Sequence, residues 1–112
     1  MTADEQAAVM QYARLTNQWL KANGGTTVVG TKGPLQSQAG AFARAERLRA
    51  ELAGKPYLGQ AGHVPDTALT GMPNPPMGWL DMPGTSNSVI GGGLSSRIGQ
   101  RIDLIAVDGI VP

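Results

Sequence analysis

The chain has 112 residues, of which 41% are hydrophobic and 15% charged, and its formal net charge is +1. This length is typical of one domain with one core, so we treat residues 1–112 as a single domain. The small net charge argues against a strongly basic nucleic-acid binder, and the lack of cysteine excludes disulfides and thiolate metal sites. No apolar run approaches the roughly 18 residues of a membrane span, and the acidic start is unlike a signal peptide. We therefore expect no membrane association, and export would depend on another module.

The first half of the chain is predicted to be helical. Thr2 and Glu5 form a capping box, in which each side chain satisfies a free amide at a helix start. Apolar residues then recur every three to four positions as far as Trp19 and Leu20, until Asn23-Gly24-Gly25 stops the helix. The pattern predicts a helix over 3–22.

A second helix is predicted over 35–53, after a short extended stretch at 26–29 and a turn. Gly54 ends this helix and Pro56 prevents its continuation. Four large apolar residues mark its predicted buried stripe: Leu35, Phe42, Leu48 and Leu52. We expect the two helices to pack through Trp19, Leu20, Phe42 and Leu48 onto a sheet.

Three arginines of this second helix, Arg44, Arg47 and Arg49, lie off the predicted stripe. Two interpretations stay open for them: a solvated helix face, or a patch that faces phosphate groups.

The second half of the chain has a different composition, richer in glycine and proline. Residues 71–93 contain ten glycines or prolines, which predicts a long irregular loop that Trp79 anchors on the core. Residues 101–107 alternate apolar and polar side chains and predict a strand, followed by a turn at Asp108-Gly109 and a short return at Ile110-Val111. The expected fold is therefore α+β, with two N-terminal helices on a small antiparallel sheet and a long Gly/Pro-rich loop.

The single histidine lies in the segment Gly62-His63-Val64-Pro65-Asp66-Thr67. The flanking Gly and Pro place His63 on a predicted exposed turn, and histidine is the side chain best suited to proton transfer near neutral pH. Asp66 is close enough in sequence to orient the imidazole or to bind a cation. The alternative is a pair that only stabilises the turn, with Asp66 accepting from backbone amides.

Two further segments carry candidate substrate-binding residues. In Thr85–Gly93, three consecutive glycines predict close approach of backbone amides to an anion, and Asn87 and Ser88 are the side chains able to bind phosphate or metal. Downstream, Arg97 is a candidate to stabilise developing negative charge, with Ser96 and Arg101 beside it. The alternative for Arg97 is an exposed arginine next to a strand.

The segments GKPYLGQAGHVPDTALTG, GWLDMP and SNSVIGGGLSSRIG together resemble the C-terminal toxin domains of bacterial polymorphic toxins of the Rhs type. The resemblance covers roughly residues 28–99. It implies a secreted or delivered effector that follows a carrier or secretion module, acts in the target-cell cytoplasm and is paired with a cognate immunity protein. Many such domains are nucleases, so the resemblance implies a nucleic-acid substrate.

Two nuclease chemistries are compatible with these residues. Metal-dependent ββα nucleases use a Gly-His pair with a downstream Asn that binds a divalent cation, which Gly62-His63 and Asn87 match, although Gln60-Ala61 replaces the usual Asp-Arg. Metal-free toxin ribonucleases use a His, a basic residue and a hydroxyl, which His63, Arg97 and Ser96 or Thr67 would supply. No cofactor is required in the second case. A divalent cation is required only in the first.

Two other classes of function stay open. The first is an ADP-ribosyltransferase or other NAD-consuming toxin, in which the glycine-rich segment and Arg97 would hold the diphosphate. The second is a non-enzymatic structural module of a secretion or phage particle, in which His63 would be an ordinary turn residue. For the nuclease, we expect His63, Asp66 and Arg97 to converge in one cleft roofed by the 71–93 loop.

Overall fold

The computed structural model describes residues 2–106 and 109–111. Within these residues the chain forms four helices and six short strands, which pair only antiparallel. In chain order the elements are α1 Ala3–Asn23, β1 Thr26–Thr27, α2 Pro34–Leu52, β2 Gln60–His63, α3 Thr67–Thr70, β3 Trp79–Met82, α4 Gly84–Ser95, β4 Arg101–Ile102, β5 Leu104–Ala106 and β6 Gly109–Val111. The predicted α+β class is confirmed. Over the same residues, no helix combines the length and apolar character needed to cross a bilayer.

Helix α1 begins as predicted. The Thr2 hydroxyl accepts from the Glu5 amide while the Glu5 carboxylate accepts from the Thr2 amide, so the capping box is present. Gly24 ends the helix in the left-handed conformation, at φ 68°. One face of the helix, which includes Tyr12 and Leu20, is buried against the core.

Strands β2 and β3 form a hairpin at the centre of the fold, in which His63 is paired with Trp79 and Gly62 with Leu80. Because side chains alternate along a strand, the hairpin has two distinct faces. One face carries His63 and Trp79 and packs against α2. The other carries Gln60, Gly62, Leu80 and Met82 and faces α1 and α4. The site described below depends on this separation.

The predicted bounds of α2 differ by one residue from those observed, but its predicted buried stripe is wrong. Phe42, Leu48 and Leu52 are 43%, 56% and 81% exposed. A different face of the helix, with buried Ala39 and Ala50, packs on the hairpin instead. Alanine lets the backbone of α2 approach a two-stranded hairpin closely, and the hairpin is too narrow to cover the larger side chains.

The predicted long loop over 71–93 is also corrected. Residues 79–82 form β3, and α4 includes Gly91, Gly92 and Gly93, so only about 71–78 is irregular. Each glycine costs a helix roughly 1 kcal/mol relative to alanine. Burial of Ser86 and Leu94 against the core offsets this cost.

The predicted strand over 101–107 is divided at Asp103. Its first part, β4, pairs with β1, and its second part, β5, pairs with β6, so the predicted return at Ile110-Val111 is confirmed. Residues 107 and 108 of the predicted strand and turn lie outside the described residues. Leu20, Leu69, Met82, Leu94 and Ile102 are the largest fully buried side chains of the resulting core.

Candidate functional site

His63 is the last residue of β2 rather than a turn residue, and it is half-buried. Its ring packs against Trp79, its partner across the hairpin, with 4.4 Å between ring centroids and 56° between ring planes. Its Nε2 lies 3.0 Å from the carbonyl oxygen of Pro73. Two neighbours therefore fix the orientation of the imidazole on the α2 side of the hairpin.

The surroundings of His63 favour the neutral ring. Burial lowers the pKa of His63 below 6.5, and the carbonyls of Pro73 and Ala39 and the charge of Asp66 oppose that effect only in part. The Pro73 carbonyl is an acceptor, so the neutral ring donates from Nε2 and keeps its lone pair on Nδ1. In this tautomer Nδ1 is the proton-accepting atom of the ring, and the carbonyl of Ala39 also lies within reach of the imidazole.

Asp66 is first of all a helix cap. Its carboxylate accepts from the Ala68 amide at 2.9 Å and so begins α3, and its own amide donates to the buried Tyr12 hydroxyl at 3.0 Å. Burial raises the pKa of Asp66 above its ordinary value. Its charge also reaches His63 and raises the pKa of the imidazole. Asp66 therefore lies near His63, but its carboxylate is already engaged by the backbone.

An open groove of about 330 Å³ runs between α2 and the hairpin, and Trp79, whose ring packs against His63, is one of the residues that line it. His63 itself is not a lining residue. Four residues line it from α2, namely Phe42, Ala45, Glu46 and Arg49, and Asn74 and Trp79 line it from the opposite side. The volume falls at the lower end of the range of roughly 300–1,000 Å³ seen for small-molecule sites. Two aromatic rings, an amide and a guanidinium are therefore presented around one space next to the histidine.

A hydrogen-bonded network holds Arg49 at this groove. The Glu46 carboxylate accepts from Arg49 Nε and Nη2 at 2.6 and 2.7 Å, and from the Tyr57 hydroxyl at 2.6 Å. The hydrogen bonds from Arg49 and Tyr57 lower the pKa of Glu46 to about 2. Glu46 is therefore charged over the physiological range and fixes the guanidinium beside Phe42 and Trp79.

Asn87 lies on the other side of the hairpin from His63. Its Nδ2 donates to Gln60 Oε1 at 2.6 Å, and its Oδ1 faces Gly62, on the face that packs toward α4. His63 points to the α2 side. The hairpin itself separates the two side chains. The structure therefore does not bring His63 to the same side as a cation bound at Asn87, as the metal-dependent mechanism requires. Throughout the described ranges, no group of three or more His, Asp or Glu side chains is placed to hold a metal ion.

The remaining predicted substrate-binding residues lie along α4 and after it. Ser88 is exposed on α4, and the Ser96 hydroxyl donates to the Gly93 carbonyl at 2.9 Å. The Arg101 guanidinium donates to the Gly24 carbonyl at the end of α1 and pairs with Asp103 at 3.3 Å. The Ser96 hydrogen bond is a local contact at the end of α4, whereas the Arg101 hydrogen bond joins β4 to the end of α1.

Arg97 follows α4, and its backbone amide donates to the Leu94 carbonyl. Among residues 2–106 and 109–111, its guanidinium makes no hydrogen bond or ion pair, with His63 and Asp66 or with any other side chain. The predicted sharp bend at 91–93 does not exist, because these glycines are helical and none has a positive φ. The same geometry removes the anion-binding nest predicted there.

Phe42, Asn74 and Trp79 were not predicted as site residues, and Arg49 was only one of three arginines with an open role. The groove joins residues about 30 positions apart, and no local motif signals that proximity. The one available signal was that Phe42 and Trp79 are scarce aromatic residues in this chain. Comparison with known proteins found no matching family, no similar characterised protein and no similar solved structure.

Proposed function

We propose that this domain is a ribonuclease effector that binds single-stranded RNA in the groove between α2 and the hairpin. The observation that carries the proposal is that Trp79, whose ring packs against His63, lines a groove together with Phe42. Aromatic side chains stack on unpaired bases at roughly 1–3 kcal/mol per base, without requiring a strongly basic protein. A net charge of +1 is compatible with such binding.

His63 is the general base of the proposed reaction. Nδ1 of its neutral ring accepts the proton of a ribose 2′-hydroxyl, and the 2′-oxygen then forms a bond to the adjacent phosphorus. The bond from phosphorus to the 5′-oxygen breaks, and that oxygen takes a proton from water. The products are a 2′,3′-cyclic phosphate and a 5′-hydroxyl. Because the base must be neutral, we expect the rate to rise with pH through a pKa below 6.5.

The groove residues hold the substrate. A base stacks between Phe42 and Trp79, with the Asn74 amide available to its edge, and the Arg49 guanidinium approaches the phosphate. This assigns to Arg49 the charge-stabilising role predicted for Arg97. Asp66 keeps the loop before α3 in place and maintains the charge near His63.

RNA is favoured over DNA by the separation of His63 from Asn87. The metal-dependent alternative needs a histidine and a cation-binding asparagine around one phosphate, whereas these two lie on opposite faces of the hairpin. Transfer through the 2′-hydroxyl needs only a base and a cationic group on the same side. His63 and Arg49 both belong to the α2 side.

The biological setting we propose rests on the resemblance to polymorphic toxin domains. In that setting the domain is delivered by a carrier module, acts in the cytoplasm of a competing bacterium and is neutralised in its own cell by an immunity protein. Gly62–Asp66 and the segment around Asn87 carry the resemblance, and the groove supplies the activity.

The experiment is a cleavage assay with matched single-stranded RNA and DNA oligonucleotides. We expect the wild-type protein to cleave RNA only, and to leave 2′,3′-cyclic ends in the presence of a chelator. His63→Ala should reduce the rate by at least about 100-fold, in line with the loss of a general base. Arg49→Ala should reduce it less, by roughly tenfold.

Arg14→Ala is the matched control, because Arg14 is exposed on α1, on the other side of the hairpin. It removes the same charge as Arg49→Ala and should leave the rate unchanged. A folded His63→Ala variant with full activity would overturn the assignment of His63. Cleavage of DNA that requires a metal ion would overturn the choice of RNA.

A further inference from the structure

The outer face of α2 carries an apolar stripe that nothing in the described chain covers. Ala41, Ala45, Leu48 and Leu52 lie on one side of the helix, diametrically opposite the face that packs on the hairpin. All four are exposed, and Leu48 and Leu52 retain 56% and 81% of their accessible surface. A contiguous exposed stripe of this kind is typical of an interaction surface.

We propose that this stripe pairs with the same stripe of a second copy of the chain, with the two α2 helices antiparallel. The spacing of 4, 3 and 4 residues along the stripe is that of the core positions of a coiled coil. In the antiparallel register each alanine faces a leucine: Ala41 faces the partner's Leu52, and Ala45 faces the partner's Leu48. Four layers of equal size result, because a small side chain always meets a large one.

The charges that flank the stripe select the same register. Arg44 and Glu51 lie on one edge of the stripe, on either side of its centre, and they carry opposite charges. In the antiparallel pair, Arg44 of one copy lies next to the partner's Glu51, and the twofold axis repeats the pair. Over the described residues, neither side chain has an ion-pair partner within its own chain.

Self-pairing explains the stripe better than RNA does. Leucine and alanine have no π-face for a base to stack on. A second copy would cover these aliphatic side chains and would also pair the flanking charges. Ala45 also lines the groove, and Phe42 and Arg49 lie on that edge of the stripe, so the pair would bring the partner helix to the α2 rim of the groove. The association itself does not depend on the proposed ribonuclease activity.

The association should be weak and reversible. Helix α2 has 19 residues and is about 28 Å long, so the contact is confined to one short helix face. Interfaces of this size fall below the roughly 1,200 Å² of stable complexes. Self-association should therefore depend on protein concentration.

Sedimentation velocity of the full chain, from about 5 to about 500 µM, tests the proposal. We expect a concentration-dependent shift from monomer to dimer. Arg44→Glu or Glu51→Arg alone should weaken dimerisation by about tenfold or more, because two ion pairs become two repulsions. The double variant should restore it. Both residues are exposed, so circular dichroism should show unchanged folding.

The register is tested with single cysteines, because the chain has none of its own. An Ala45→Cys protein mixed with a Leu48→Cys protein should form the mixed disulfide faster than either forms a disulfide with itself. A wild-type protein that stays monomeric at every concentration would overturn the proposal. So would a double charge variant that does not recover dimerisation, or a preference for disulfides between identical positions.

Discussion

Replacement of Asp66 separates a structural role for this carboxylate from a chemical one. In Asp66→Ala the amide of Ala68 loses its acceptor at 2.9 Å, and α3 loses its only side-chain cap. Loss of an N-cap costs typically about 1 kcal/mol of unfolding free energy. A chain of 112 residues unfolds with an entropy of about 0.24 kcal/mol/K, so the melting temperature should fall by about 4 °C.

Asp66→Asn keeps a capping oxygen but removes the charge, and it should behave differently. Burial raises the pKa of Asp66, so the folded state binds a proton more readily than the unfolded state and disfavours the charged carboxylate. The ionised group therefore costs stability at neutral pH, and this cost disappears as the pH falls through the folded pKa toward the ordinary value of 3.8. At pH 7 the Asn variant should be at least as stable as the wild type.

Thermal unfolding followed by circular dichroism at pH 7 and at about pH 4 measures both effects. The order expected at pH 7 is Asp66→Asn, then wild type, then Asp66→Ala, with a smaller gap between Asn and wild type at the lower pH. If Asp66→Asn is as unstable as Asp66→Ala at pH 7, the charged carboxylate itself stabilises the fold, and the argument from burial is refuted.

Two further predictions concern glycine and the site histidine. Gly59→Ala should destabilise the protein by more than about 1 kcal/mol, because its new Cβ would overlap the backbone carbonyl oxygen of Met82 in β3. By contrast, Gly92→Ala in α4 meets nothing within 4 Å and should stabilise the protein by up to about 1 kcal/mol. Chemical denaturation of both variants checks the pair, and equal effects would contradict it. His63 has a pKa below 6.5 in the folded state, so the wild type should lose stability as the pH falls below that value, relative to His63→Gln. If the unfolding free energies of the two proteins changed with pH in parallel, burial would not lower the pKa of His63.

Local signals in the sequence predicted α1 almost completely. The Thr2–Glu5 capping box and the glycines after Asn23 fix its ends within a few residues, and both act over short distances. The failure at α2 has a different origin. The spacing of apolar residues in this segment correctly predicted a helix. Leu48 and Leu52 nevertheless face outward, because the face that is buried depends on the width of the hairpin beneath the helix.

Helix α4 is a second element that depends on contacts with distant parts of the chain, which local sequence signals do not reveal. Gly91–Gly93 have poor intrinsic helix propensity, and only the burial of Leu94 and Ser86 by distant elements makes the segment helical. The predicted return of Arg97 toward His63 relied on a bend at those glycines, which are helical instead. The segment around His63 was predicted as a site, but its partners Trp79 and Arg49 are brought to it by tertiary packing.

The two tryptophans provide the most direct test of the claim that the α2 groove binds RNA. Trp79 lines the groove, whereas Trp19 packs against the core from α1, on the other face of the hairpin. Their two indole N–H signals can be followed by NMR while a non-cleavable, 2′-O-methylated single-stranded oligonucleotide is added. The account predicts that the Trp79 signal shifts progressively while the Trp19 signal stays in place. A Trp79 signal that does not move at saturating oligonucleotide, or a shift confined to Trp19, would contradict it.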